Sequence, residues 1–537
     1  MKRPELLLPA GTLDRLKTAI LYGADAVYCG TPDMSLRVKS AFSLEDLVEG
    51  IEYAHSKGKK VYLTLNLFSH NKDIEKLPQF IETVQKVKPD GLIVSDPGVF
   101  QFVRERAPEL ELHISTQANV CSWLTVDFWE KQGASLVVMA REVSFEELAE
   151  IRQKCPNIKI ETFIHGSMCM TYSGRCLLSN FMAERGANQG SCAHSCRWGY
   201  KLKIKLKDNT EHEIEINEDN KDLFDFFLEE EIRPGALMPF EEDVNGSYIL
   251  NSKDLCLLPK LDEYIKIGLD SFKVEGRNKT EFYAGSVARV YRAAIDDYMT
   301  NPSEWRAEDY MDEINAVANR GYTLAFHEGR LTNLAHDYES TGSTAFYEFA
   351  GKVVGWEEDD LIIEAKNRLA AGDVLEFLSP FQREPILLRI YEFNYSRDGK
   401  NWKIVDAVNA GVKPMVRIPA SAFHEINKEK LKELLPQFSL IRKEKMLEES
   451  ERLKVESRHL SHQLEGGEIR QEKYENKRQK YFAALELGDE KISPRTPRVG
   501  VDGCCGKGCN GCLIFWHDDK YAKAREILKK KKIGEML

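Results

Sequence analysis

The chain has 537 residues, 42% hydrophobic and 30% charged, with a formal net charge of -11. That balance excludes a membrane-embedded protein, a wholly disordered one and a generic nucleic-acid coat. At roughly 100–200 residues per domain the length predicts about two to four domains, with enough chain to bury a core without disulfides. The opening Met-Lys-Arg-Pro-Glu-Leu-Leu-Leu-Pro-Ala has only a brief apolar run broken by Pro9, unlike a secretory signal. No apolar run approaches the roughly 18 residues of a membrane span. A cytoplasmic chain without a membrane partner is therefore expected. In that compartment clustered thiols bind metal or do redox chemistry more often than they form disulfides.

The first 280 residues alternate between two patterns. The short apolar runs Glu5–Leu8, Ala26–Cys29, Val61–Asn66, Leu92–Ser95, Leu112–Thr116, Leu136–Ala140 and Ile158–Ile164 have the Val, Ile and Leu content of buried parallel strands. Between most of them lie segments of helical spacing, such as Ser43–Gly58 and the one opening at Ser144, each starting on a serine suited to cap a helix. Ser271–Glu275, followed by the helical Glu281–Met299, supplies an eighth unit. Eight βα units predict a TIM-type (β/α)8 barrel over 1–300, with a doubly wound open sheet as the alternative. The barrel is favoured because Asn66, Asp96, Thr116-Gln117, Arg141-Glu142, His165 and Glu275-Gly-Arg277 all fall at strand ends, which a barrel gathers at one mouth.

A cysteine-rich excursion over 166–248 interrupts the barrel, with Tyr248–Asn251 a surplus strand within or beside it. Lys201–Glu231 changes from basic to acidic alternation, the pattern of a hairpin with opposite charges facing. Beyond a linker at 301–340, residues 341–445 read as a small β-barrel domain. Residues 446–490 read as a charged, solvated helical segment, and 491–537 as a Cys-rich tail with a basic helix.

Four cysteines, Cys169, Cys176, Cys192 and Cys196, lie just past the seventh strand, with six, fifteen and three residues between them. Zinc sites commonly pair cysteines at two to four intervening residues, so the first gap is too wide for a simple zinc knuckle. A cubane cluster takes looser spacing. Spacing alone leaves an iron–sulfur cluster, zinc and buried thiols open. In the tail, Cys504, Cys505, Cys509 and Cys512 form a second candidate site for iron–sulfur or zinc. Gly506-x-Gly508-x-x-Gly511 there matches a dinucleotide fingerprint only formally, since it follows no strand. Lys529–Lys532 reads as a solvated face.

The stretch Glu161-x-Phe163-x-His165-Gly-Ser-x-Cys169, continuing to Tyr172-Ser-Gly-Arg-Cys176-x-Leu-Ser179, resembles the signature of the collagenase-like peptidase family U-thirty-two. Leu8-Pro-Ala-Gly11, Gly23-Ala-Asp-Ala-Val-Tyr28, Asn188-Gln-Gly190, Asn251-Ser-Lys-Asp-Leu255 and Lys273-Val-Glu-Gly-Arg277 extend the resemblance. It implies an enzyme of oxygen-independent hydroxylation rather than the peptidase of the name. Prephenate is the implied hydroxyl donor and a 4Fe–4S cluster the implied cofactor. Members of this kind convert a tRNA wobble uridine to 5-hydroxyuridine, and others act on a ribosomal RNA cytidine or the ubiquinone ring. Matched residue by residue, the cluster ligands would be Cys169, Cys176, Cys192 and Cys196, with Cys256 as a downstream substitute that reads as core.

Prephenate carries two carboxylates, which suit Arg or Lys. Arg141, Arg175, Arg197, Lys253 and Arg277 are the substrate-binding candidates, each with a structural ion pair as its plainer role. His165 and Glu275 are the acid/base candidates. His165 otherwise orients the cysteine loop, and Glu275 otherwise pairs with Arg277. The expected partners are tRNA, the small dicarboxylate and accessory or iron–sulfur assembly proteins. The alternatives are a peptidase of this family and a non-catalytic iron–sulfur subunit that binds RNA. Against the peptidase, the chain has no His-Glu-x-x-His and no Gly-x-Ser-x-Gly.

Overall fold

The structure, a computed structural model, describes residues 2–31 and 42–445 apart from position 68, parts of 170–251 and 330–344, and positions 412 and 425. The 446–490 segment and the tail with Cys504, Cys505, Cys509 and Cys512 lie outside the described residues.

Eight parallel strands form the barrel: β1 Glu5–Ala10, β2 Ala26–Gly30, β3 Lys60–Leu65, β4 Gly91–Val94, β5 Glu111–Ile114, β6 Leu136–Val138, β7 Lys159–Ser167 and β8 Ser271–Val274. Each pairs with the next in sequence, and β8 pairs with both β7 and β1, which closes the ring. The helices between them are capped as their sequences predict. Ser43 and Ser144 each accept a backbone N–H three residues on, and at Ser144 the Glu147 carboxylate reaches back to complete a capping box.

Inside the ring, alternate residues point inward and many of them are polar. Leu7, Ala26, Tyr28, Tyr62 and Ile93 make a small apolar cluster. Beside it Lys273 Nζ donates to Glu161 Oε1 at 2.7 Å, and Ser271 Oγ donates to Glu161 Oε2 at 2.8 Å. Nearer the floor, His113 Nε2 lies 3.3 Å from Glu111 Oε2 and Tyr62 Oη donates to Glu5 at 2.9 Å.

Burial pushes the His113 imidazole below its ordinary value, so the ring is neutral and its Nε2–H donates to Glu111. That bond, helped by Lys159, holds the Glu111 carboxyl down at about 2. Both groups bind protons less readily folded than unfolded, so both favour unfolding as pH falls. Urea midpoints should therefore drop from about pH 7 to about pH 5 as His113 is forced to charge, and further below about pH 4.5 as Glu111 protonates. A His113→Asn variant should lose the first decline and keep part of the second.

One expectation needs correction. Residues 301–340 are not merely a linker: they contain the helix Glu308–Asn315 and the strand Tyr322–Thr323. Tyr310, Met311 and Ile314 of that helix are buried in the barrel's own core. The expected strand Tyr248–Asn251 lies outside the described residues; just beyond it, Asp254–Cys256 forms a strand. It pairs antiparallel with the far end of β7 and parallel with Tyr322–Thr323. In the excursion, Lys203–Ile204 pairs antiparallel with Ile214–Glu215, and Lys203 stands opposite Glu215.

The β-rich region is a curled eight-stranded antiparallel sheet, with Ile386–Arg389 at one edge and Lys403–Val405 at the other, around a separate core that includes Val353, Phe377, Phe393 and Ile441. Tyr22 from the barrel donates to Leu378 O and accepts from Leu440 N at 2.8 Å, which fixes the sheet against the barrel's first helix, Leu13–Leu21.

Candidate active site at the barrel mouth

The strand ends set out two sides of the mouth. Past β8, Arg277 is buried, donates from Nη1 to Thr64 Oγ1 at 2.9 Å and lies over the Tyr28 ring. Past β6, the Arg141 guanidinium sits 3.8 Å above the Phe163 ring. Its Nε is shut off from solvent with no hydrogen-bond partner, and no ion pair forms with it among the described residues. The next residue, Glu142, accepts from both Ser173 N and, at 3.0 Å, Ser173 Oγ. Ser173 lies between Cys169 and Cys176, so this carboxylate moors the cysteine loop beside Arg141.

His165 stands at the end of β7, where the sequence places it, inside a closed cage. It is 1% exposed and ringed by Tyr283, Tyr291 and Tyr322, with centroids 5.9, 5.6 and 5.3 Å away. Tyr291 Oη donates to Ile164 O at 3.0 Å and stands 3.4 Å from His165 Nδ1. The cage is supplied by the helix Glu281–Thr300 and the strand Tyr322–Thr323, both distant in sequence. The histidine thus sits behind the mouth wall, where its backbone carbonyl accepts from Glu275 N at 2.9 Å. The Glu275 carbonyl in turn accepts from Tyr283 Oη at 2.7 Å, which sets the turn carrying Arg277.

The remaining candidates are dispersed. Lys253 is buried, and its backbone N donates to Ala335 O at 3.0 Å. Arg175 is exposed on the cysteine loop, and the Arg197 side chain lies outside the described residues. Cys256 is fully buried, 3.6 Å from Tyr291 Oη, and burial pushes its thiol up to about 12. It is a core residue, as its sequence position implies.

Cys169 is exposed, and Cys176, Cys192 and Cys196 are half-buried. As donors they suit a soft metal centre. Among the described residues no group of three or more His, Cys, Asp or Glu side chains is gathered as a metal site. The fit to a soft metal centre is one of donor chemistry and exposure.

A barrel whose mouth joins an unpaired arginine to a moored cysteine loop is the setting in which comparison with known proteins becomes informative. The family model described as Peptidase family U32 matches residues 11–336, and the chain belongs to that family. It is similar to tRNA hydroxylation protein P of Escherichia coli (strain K12), 40% identical over 403 residues, covering 71% of this chain and 87% of the relative. It is also similar to tRNA hydroxylation protein P1 of Bacillus subtilis (strain 168), 36% identical over 71% of this chain and 84% of that one. A third relative is a collagenase of Porphyromonas gingivalis (strain ATCC BAA-308 / W83), 31% identical over 65% of this chain and 79% of its own length.

Proposed function

We propose that this chain hydroxylates tRNA, converting a wobble uridine to 5-hydroxyuridine with prephenate as hydroxyl donor. A 4Fe–4S cluster would be held by Cys169, Cys176, Cys192 and Cys196. The relatives named for tRNA hydroxylation support the RNA substrate. The observation that carries the site is the Arg141 guanidinium, stacked on Phe163 with its Nε buried and unpaired. A guanidinium Nε shut off from solvent without a partner carries an unmet desolvation cost, and an anionic ligand beside this half-buried arginine relieves it. Arg277 on the other side of the mouth suits a second carboxylate. The cluster would supply electron transfer or a Lewis-acidic iron. The chain's own residues bind and orient: Arg141 and Arg277 hold the dicarboxylate, and Glu142 keeps the cysteine loop beside it.

Deleting the gene should remove 5-hydroxyuridine and its derivatives from tRNA digests analysed by mass spectrometry. Restoring the wild-type gene should return them; an Arg141→Ala gene should not. Unchanged tRNA in the deletion strain would defeat the reading. Anaerobically purified protein should be brown, and a Cys169→Ala/Cys192→Ala variant colourless. The collagenase relative favours a second reading, a peptidase. Cleavage of collagen peptides by colourless protein, with tRNA unaffected, would establish that reading instead.

A further inference from the structure

A chain with a net charge of -11 repels a polyanion over most of its surface. One stretch of the antiparallel sheet runs the other way. Residues 393–417 hold five cations, Arg397, Lys400, Lys403, Lys413 and Arg417, against two carboxylates, Asp398 and Asp406. Arg417 pairs with Glu357 at 2.6 Å. The other four are exposed and form no ion pair among the described residues.

The fold gathers these cations on one hairpin at the sheet edge. Phe393–Ser396 pairs antiparallel with Lys403–Val405, which sets Tyr395 opposite Lys403. Lys403 Nζ stands 5.9 Å from the centre of the Tyr395 ring, and Arg397 Nε donates to Tyr395 Oη at 2.9 Å. One tyrosine thus holds a cation at its face and another at its hydroxyl. Asp398 builds the turn between the strands, accepting from Ser396 Oγ at 2.8 Å, Lys400 N at 2.9 Å and Asn401 N at 2.8 Å. These donors hold its carboxyl well below its ordinary value, and it forms an ion pair with none of the cations beside it. On the neighbouring strand, Met415–Pro419, Arg417 is the register partner of Asn394, and its guanidinium lies 4.3 Å above the Trp402 ring. Met415 is the partner of Ser396 in the same antiparallel pair, so Lys413, two residues earlier, comes in beside the Asp398 turn.

Cations braced on aromatic rings have already given up part of their freedom, so less is lost when they meet a phosphate. Rings interleaved with Arg and Lys suit a nucleic acid, which offers phosphates to the cations and flat bases to the rings. An acidic protein face offers the first and not the second. We propose that the hairpin over 393–405 grips the sugar–phosphate backbone of the tRNA, with Arg397, Lys400 and Lys403 each meeting a phosphate. Such contacts fix where the RNA lies and carry no choice of base. This inference rests on the tRNA reading above and adds a surface that holds the RNA, built on the sheet and not on the barrel strands.

The test is equilibrium binding of the purified full chain to an unmodified tRNA transcript between about 50 and 200 mM KCl. An Arg397→Ala/Lys400→Ala/Lys403→Ala variant should bind about tenfold or more weakly at the low-salt end. Its slope of log K against log salt should be shallower by about 2–3, the share of three phosphates. All three side chains are exposed, so thermal melting should match wild type. A Lys72→Ala/Lys76→Ala/Lys86→Ala variant removes the same charge from exposed positions on the barrel and should change the affinity by less than about twofold. A hairpin variant that keeps the wild-type affinity and slope, or a barrel variant that loses as much, would overturn the grip and leave the tRNA reading standing. Wild type that binds no tRNA would also overturn the grip; unchanged tRNA in the deletion strain would overturn the reading beneath it.

Discussion

Replacing Lys273 with Met should destabilise the barrel by about 3–5 kcal/mol, the cost of leaving one partner of a buried ion pair uncompensated. Both partners are all but inaccessible, and the Lys273 ammonium is the cation facing Glu161. Without it the carboxylate keeps, among the described residues, the Ser271 hydroxyl at 2.8 Å. The same ammonium sits 4.6 Å from the Tyr28 ring and 5.7 Å from the Phe163 ring, and Phe163 is the surface on which Arg141 lies. The pair is thus a pillar between the barrel floor and the mouth. Burial holds the Lys273 amine below its ordinary value against the pull of Glu161. The change should appear as a lowered urea midpoint, and a Glu161→Gln/Lys273→Met double variant should recover most of it. A double variant as unstable as the single one would mean that packing, not the stranded charge, sets the loss.

Gly166→Ala should be nearly as damaging, for a steric reason. Gly166 has φ +117°, and a Cβ there would stand 2.6 Å from the Glu275 carbonyl oxygen and 2.8 Å from Glu275 Cβ. Backbone strain of this kind costs about 1–3 kcal/mol, and forced overpacking about 1–3 kcal/mol more. The chain has no slack to absorb it, because Glu275 is tied to His165 on one side and to Tyr283 on the other. The displaced elements would be the start of the cysteine loop and the turn bearing Arg277. Gly58 is the control: it also has positive φ, at +66°, but a Cβ there meets nothing within 4 Å. Gly58→Ala should cost the backbone-strain share alone, about 1 kcal/mol read as a lower melting temperature, and leave activity unchanged, while Gly166→Ala should lower activity and cost clearly more stability.

Much of this was legible in the sequence, and the limits have physical causes. All eight barrel strands could be placed because buried parallel strands are short aliphatic runs separated by capped amphipathic helices. The mouth residues Asn66, Gln117, Arg141 and Arg277 followed from strand ends alone. The helix Glu308–Asn315 also left a signal, Tyr310, Met311 and Ile314 on one face, but it is short, acidic and follows a loop, so it read as a connection. The tyrosine cage around His165 left none. Tyr283, Tyr291 and Tyr322 look like ordinary core residues until the fold brings them to one ring. The Glu161–Lys273 pair was likewise hidden, because its partners lie more than a hundred residues apart. Nor could spacing show that Asn119 occupies a left-handed turn.

The fork at the end of β7 has a consequence for how such a chain can diversify. The excursion departs after Ser167 and is back in the sheet at Asp254, and those two residues are register partners. Its ends are therefore clasped by the scaffold whatever lies between them. Doubling the length of a closed loop costs only about 0.6 kcal/mol, so residues can be added or removed there with little effect on barrel stability. The clasp makes this a socket, at which one stable frame can exchange inserted segments while Arg141 and Arg277 stay where the strands put them.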